Sequence, residues 1–271
     1  MSGSRRTLAG PALAHMLARR LGLSLLAVVA GVTGVIVSAP ARTDAEAKIM
    51  VAVYGQMSPI GALFAIRPGG QLGRHFCTAS VVDSPSGDLV LTAAHCVQGR
   101  PASQIAFVPG YNAGRWPDGV WRVTRVVVDR NWLASRDPDD DFAFLAVASP
   151  GSRASLQSLT GGEGVAVDVP AGQRVEVGGY PDGAEGLVSC QNTAGSFTST
   201  QYQFSCTGFS DGTSGSPLLA DIAPDNGLDT VIGVIGGYEQ GGISSSVSYA
   251  ARFSGELGAL YQEALAAPAP G

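Results

Sequence analysis

Three short stretches carry side chains able to do nucleophilic chemistry. Thr92-Ala93-Ala94-His95-Cys96 sets a histidine beside a cysteine among small residues. Gly212-Thr213-Ser214-Gly215-Ser216-Pro217 sets a serine among glycines. Between them, Asp141 opens the apolar run Asp141-Phe142-Ala143-Phe144-Leu145. In chain order these are a base, an acid that orients it and a nucleophile. A serine hydroxyl is inert near neutral pH until an imidazole takes its proton.

Each residue has a plainer reading beside the chemical one. A lone histidine is commonly structural, but Leu91-Thr92-Ala93-Ala94 buries the chain up to His95, and a bridged cysteine after it would fix the backbone that aims it. A neutral imidazole there accepts the serine proton and later passes it to a leaving amine. Asp141 is one of several loop acids, yet Phe142, Ala143 and Phe144 draw it inward while Asp139 and Asp140 stay outside. A buried carboxylate needs a partner, and a histidine N–H suits it. Asp140 is the substitute for that role. A calcium site from Asp137, Asp139 and Asp140 lacks the further oxygens at defined spacing. Around Ser214, Gly212 and Gly215 let the N–H groups of Gly212 and Ser214 converge on one point. An oxyanion held there gains about 3–4 kcal/mol from each donor. Most of the 37 glycines mark turns.

The elements that must position these residues are short. Strand-like runs fall at 60–66, 76–82, 89–93, 104–108, 120–128 and 142–147, then at 165–169, 174–179, 187–190, 197–206, 217–220, 231–235 and 245–250. Asp83-Ser84-Pro85-Ser86-Gly87-Asp88 turns the second run into a hairpin with the third. The one helical candidate beyond residue 41 is 254–267, with Leu257, Leu260, Tyr261 and Ala264 on one face for packing onto the last strands. The class is all-β, closed into barrels or sandwiched.

The beginning of the chain reads as an export signal. Arg5, Arg6, Arg19 and Arg20 precede an apolar stretch over 21–37, and Ser38-Ala39-Pro40-Ala41 offers a small-residue cleavage site. An uncleaved membrane anchor is the competing reading. The domains expected are a signal at 1–41, an N-terminal segment or short propeptide at 42–59, a catalytic domain at 60–267 and a tail at 268–271. Loss of the signal takes the net charge from −5 to −9, which repels phosphate backbones and argues against nucleic acid as a partner. The four cysteines, all beyond the signal, imply an oxidising compartment and two disulfides, Cys77 with Cys96 and Cys190 with Cys206. A zinc site from Cys77, Cys96 and His75 or His95 lacks any C-x-x-C spacing.

The segments T-A-A-H-C, D-F-A-F and G-T-S-G-S-P resemble those of the trypsin-like, chymotrypsin-fold serine proteases, in that family's order. The likeness runs from about 60 to 250, and Phe76-Cys77-Thr78-Ala79-Ser80-Val81-Val82 resembles the strand that carries the family's first disulfide cysteine. The short span from Asp141 to Ser214 and the Ser216-Pro217 ending are more similar to the bacterial glutamyl-endopeptidase branch than to digestive enzymes. The resemblance implies two six-stranded antiparallel β-barrels with the site between them and a C-terminal helix. It implies a secreted serine endopeptidase with catalytic His95, Asp141 and Ser214, an oxyanion hole at Gly212 and Ser214, and a substrate pocket at Gly208, Ile235, Gly236 and Gly237. It calls for no metal or cofactor. Protein or peptide substrates are the expected partners, the chain acts as a monomer, and no stable membrane association follows signal cleavage.

The departures matter. Thr213 stands where digestive members carry an aspartate that pairs with a newly cut N-terminus, so that switch should be absent. The Cys190–Cys206 pair matches no digestive-enzyme bridge. Gly208 offers no acid for a basic side chain, and no histidine stands near Ile235 for an acidic one. The two glycines after Ile235 would leave the slot open to an apolar side chain, while Asp211 near its mouth would draw a basic one. A protease-fold binding protein with little turnover is the rival reading. An esterase of the strand–G-x-S-x-G–helix kind is disfavoured, because Pro217 follows where a helix should run.

Overall fold

The computed structural model describes residues 49–50, 59–149, 151, 154–222 and 229–266. The signal at 1–41, most of the segment at 42–59 and the tail at 268–271 lie outside the described residues.

Six strands close the first barrel: β2 (Ile60–Ile66), β3 (Leu72–Val81), β4 (Leu89–Thr92), β5 (Ile105–Pro109), β6 (Trp121–Val128) and β7 (Ala143–Ala148). Their order is β2-β3-β4-β7-β6-β5, with β5 returning to β2. The hairpin across 83–88 pairs Ser80 with Leu91 and Val81 with Val90. Leu63, Val90, Ile105, Phe107, Trp121 and Leu145 fill the interior.

A second ring of six follows: β9 (Gln173–Gly179), β10 (Val188–Ser196), β11 (Gln201–Ser205), β12 (Pro217–Ala220), β13 (Thr230–Ile235) and β14 (Val247–Arg252). It runs β9-β10-β11-β14-β13-β12 and closes back on β9. Two short strands decorate it, β1 (Ile49–Met50) along β10 and β8 (Gly164–Val165) parallel to β13. The expected strand over 165–169 is therefore only this stub, and β10 is longer than the reading at 187–190. Val177, Tyr202, Phe204, Leu218 and Ile232 form the second interior. Between the barrels lies a shared apolar layer that includes Leu91, Phe142, Tyr180, Val231 and Phe253.

The terminal helix α4 (Gly255–Ala266) buries Leu257, Leu260 and Ala264, while Tyr261 stays partly exposed. Contrary to expectation it does not dock chiefly on the strands just before it. It crosses to the first barrel, where Tyr261 meets the Phe144 ring at 5.6 Å and Arg125 donates to the Ala264 carbonyl. The sequence also expected no other helix, yet α1 (Ala94–Val97), α2 (Arg130–Ser135) and α3 (Leu156–Thr160) are present. Each is too short to show a helical period. Side-chain caps hold two of them, from Asp129 to the Asn131 N–H and from Ser155 to the Ser158 N–H.

Candidate active site

His95 rides on the single turn α1, directly after the buried end of β4. The Cys77–Cys96 disulfide staples that turn to β3. Asp141 follows a 3-10 turn, Pro138–Asp140, and is fully buried at the entry to β7. Its carboxylate accepts three N–H groups. One oxygen takes the His95 backbone N–H at 2.9 Å. The other faces His95 Nδ1 at 2.7 Å and takes the Gly237 N–H at 2.9 Å. An ionised carboxylate only accepts, so the ring proton sits on Nδ1 and the Nε2 lone pair is left as a base. Nε2 lies 3.8 Å from Cys96 Sγ.

Asp140 does not stay outside as expected; it is buried, while Asp139 is half-exposed. The 3-10 turn rolls Asp140 under the chain. Burial pushes its pKa up to about 6, a hydrogen bond from the Asn131 side chain holds it back, and Asp129, Asp137 and Glu256 add to the rise. It has no part in the His95 contact, which belongs to Asp141.

Ser214 is positioned through its backbone. Its carbonyl accepts from the Thr78 N–H of β3 at 2.8 Å, and Gly215 N–H donates to the Ile235 carbonyl at 2.7 Å. Gly215 has φ +83, and a Cβ there would stand 2.2 Å from the Thr78 carbonyl and 2.3 Å from Thr92 Oγ1. Only glycine lets the loop press against the end of β4, three residues before His95.

The loop amides divide into tied and untied. Thr213 N–H donates to the Ser210 carbonyl, Gly215 N–H to Ile235 and Ser216 N–H to Thr213. Among the described residues the amides of Gly212 and Ser214 have no intramolecular acceptor. The Asp211 carbonyl accepts from the Asp182 N–H at 2.5 Å. A trans peptide points its C=O and N–H opposite ways, so Gly212 N–H faces away from Asp182.

The Ser214 hydroxyl does not bond to His95. It donates to the Gln240 carbonyl at 3.4 Å. The cause is the course of the chain after β13. Backbone φ is positive at Gly237, Glu239, Gln240, Gly241 and Gly242, which curls this segment back over the serine. A cavity of about 540 Å³ opens beside Ser214. Phe209, Ile235 and several serines line it, with Asp182 and Asp211 as its acids and no basic residue among the described lining residues.

The structure brings Ile235 to the cavity wall, but Gly208, Gly236 and Gly237 do not line it; the curled segment from Gln240 onward takes that place. Gly208 instead donates its N–H to the Ser245 carbonyl, and Gly237 serves Asp141. Cys190 is bonded to Cys206 in the second barrel. Cys77, Cys96 and His95 bring two sulfurs and a ring nitrogen within 4.8 Å of one another, but the sulfurs are spent on each other and are not thiolate ligands. His75 packs among the rings of Phe64, Tyr111 and Tyr180, with Nε2 3.1 Å from the Ala184 carbonyl.

Residues the sequence did not single out also build this region. Thr78 Oγ1 donates to the Gly212 carbonyl and accepts from the Tyr180 N–H, and its place beside Cys77 was the one available hint. Gln240 acts through a backbone carbonyl, which no residue type announces.

Comparison with known proteins gives a consistent picture. A family model for the trypsin-like peptidase domain matches residues 77–223. Over 78 residues the chain is 38% identical to trypsin zeta of Drosophila erecta, a match that spans 28% of this chain and about a quarter of that curated relative (27%). Among solved structures it resembles the protease Anisep from Arthrobacter nicotinovorans, at 24% identity over 78% of this chain and 96% of the other, with a TM-score of 0.64. A thermostable serine protease, AL20, from an extremophilic microorganism matches at 25% identity over 78% and 99%, TM-score 0.64. A Glu endopeptidase matches at 18% over 78% and 91%, TM-score 0.59, a likeness of fold.

Proposed function

Because the chain belongs to the trypsin-like peptidase domain family, we propose that it is a secreted serine endopeptidase whose chemistry runs through His95, Asp141 and Ser214. The observation that carries this reading is the Asp141 carboxylate, fully buried and turned with three N–H donors onto His95, at the side of the cleft where the serine loop docks. With Nδ1–H held by Asp141, Nε2 receives the serine proton. Substrate displaces the Gln240 carbonyl, and rotation of the Ser214 side chain brings Oγ to Nε2. Oγ then attacks the scissile carbonyl. The oxyanion settles on the two untied amides, Gly212 and Ser214, each worth about 3–4 kcal/mol in the transition state. His95 returns the proton to the leaving amine, and water repeats the sequence on the acyl-enzyme.

Asp211 in the cavity lining supports cleavage after uncharged or basic side chains and against acidic ones, while Asp182 beside it is already paired with the Arg74 guanidinium at 2.9 Å. Export through the signal at 1–41 fits the two disulfides. Among the described residues no helix is long and apolar enough to cross a membrane. Protein or peptide substrates and a monomeric state belong to the same reading.

A fluorophosphonate probe tests it. The folded protein should be labelled at Ser214, and Ser214→Ala should lose both labelling and casein hydrolysis. The hydrogen bond from Ser214 to Gln240 favours the rival, a protease-fold binding protein. Absence of labelling in the folded protein would decide for that rival.

A further inference from the structure

Gln201, the first residue of β11, is nearly inaccessible to solvent, at 3% exposure. Its carboxamide is fully engaged. Nε2 donates to the Pro138 carbonyl at 2.9 Å and to Asp139 Oδ1 at 2.7 Å. Oε1 accepts from the Tyr238 N–H at 3.0 Å. The two donor targets belong to the 3-10 turn that delivers Asp141 from the first barrel. The acceptor target follows Gly237, whose own N–H donates to the Asp141 carboxylate. Gly237 has φ +75, and a Cβ on it would stand 2.5 Å from Gln201 Oε1 and 2.9 Å from the Pro138 carbonyl. The amide, the glycine and the turn are packed in direct contact.

We propose that Gln201 is a positioning residue for the His95–Asp141 pair, its side chain clamping the segment that carries Asp141 to the segment that donates to it. This rests on the serine-peptidase reading of the site. The side-chain chemistry is specific. One acceptor and two donors are needed at once in a buried place, which a glutamine supplies. A glutamate would lose both donors and face the Asp139 carboxylate. A methionine keeps the volume and forfeits all three bonds. A loosened clamp lets the Asp141 carboxylate drift relative to the imidazole, and misplacements of about 1 Å at such distances cost on the order of a hundredfold in rate.

The test compares wild type with Gln201→Met in the full chain. The expected result is a kcat about 10–100-fold lower with KM within about threefold, at temperatures well below unfolding. The low-field proton resonance of His95 Nδ1–H should broaden or shift. Asp139→Ala, at a half-exposed position, removes one of the three bonds without disturbing the buried side chain, and should lower kcat about threefold. That second variant reads the clamp if Gln201→Met folds poorly. A purely structural glutamine would lower the melting temperature and leave kcat and the resonance unchanged in both variants, which overturns the proposal. The proton resonance needs no turnover. A wild type that shows the signal but hydrolyses nothing therefore defeats the peptidase reading while still reporting on Gln201.

Discussion

At the scale of single residues, the site depends on a charge placed where water cannot reach it. Asp141 is fully buried and survives as an acceptor because three N–H groups converge on it. Asp141→Asn keeps the shape but turns an NH₂ toward donors, and the imidazole loses the partner that keeps its proton on Nδ1. On a peptide substrate kcat should fall about ten-thousand-fold with KM little changed; a loss under tenfold would mean another acid orients His95. Gly215→Ala tests placement rather than charge. With φ +83, the Thr78 carbonyl 2.2 Å and Thr92 Oγ1 2.3 Å from a Cβ, the loop must retreat from β3 and β4. Denaturant unfolding should show about 2–4 kcal/mol of lost stability, together with loss of fluorophosphonate labelling. The contact between His95 and Asp141 was legible in the sequence because rare side chains sat in distinctive company. Gln201 and the Gln240 carbonyl were not, because an ordinary amide and a backbone group reveal their use only once distant segments meet.

At the scale of elements, the serine loop is closed by bonds of its own. Thr213 is buried and uncharged, and both its N–H and its hydroxyl donate to the Ser210 carbonyl, at 3.1 and 2.7 Å. Thr78 of β3 ties the same loop to the first barrel through the Gly212 and Ser214 carbonyls. No step here needs a cationic chain end. Forms of the protein that begin at residue 42, 45 or 48 should therefore share one kcat within about twofold, in contrast to a switch worth the orders of magnitude that lost oxyanion donors cost. A large rise on trimming would reveal an N-terminal trigger. Strands with strong turn residues at their ends were readable to within a residue or two, as with β2, β12 and β13. The one-turn helices were not, since four to six residues hold no period. The destination of α4 was also hidden. Its apolar face is written in the sequence, but which barrel receives it depends on where Phe144 and Arg125 end up.

At the scale of the whole molecule, alternating runs and turns imply closed β-structure, while the pairing that closes each ring is a long-range fact the sequence implied only through its family likeness. The junction between the rings holds a group that sequence reading passed over. Glu163 bonds through its backbone to Val81 and Asp83 beside β3, and the next residue, Gly164, pairs with Thr230 of β13. Its side chain is buried at 3% exposure beside the Ser80 hydroxyl. Burial pushes its pKa up to about 8, the Ser80 side chain offsets part of the rise, and Asp229 adds to it. The folded protein thus keeps this carboxyl protonated where the unfolded chain has already ionised. Folding is favoured fully below the ordinary glutamate range, loses stability as pH rises from about 4.5 to about 8, and stays at the lower level above that. Glu163→Gln removes the titration while keeping the shape. Near pH 4 the two proteins should melt together. A pKa raised from about 4.5 to about 8 is worth about 5 kcal/mol, and each kcal/mol moves the midpoint by about 2–4 °C in a chain of this size, so near pH 9 the variant should melt about 10–20 °C higher. A gap that is constant across pH would mean the junction carboxyl finds a compensating partner, and that the two barrels meet without the buried ionisable group proposed to weaken them in alkali.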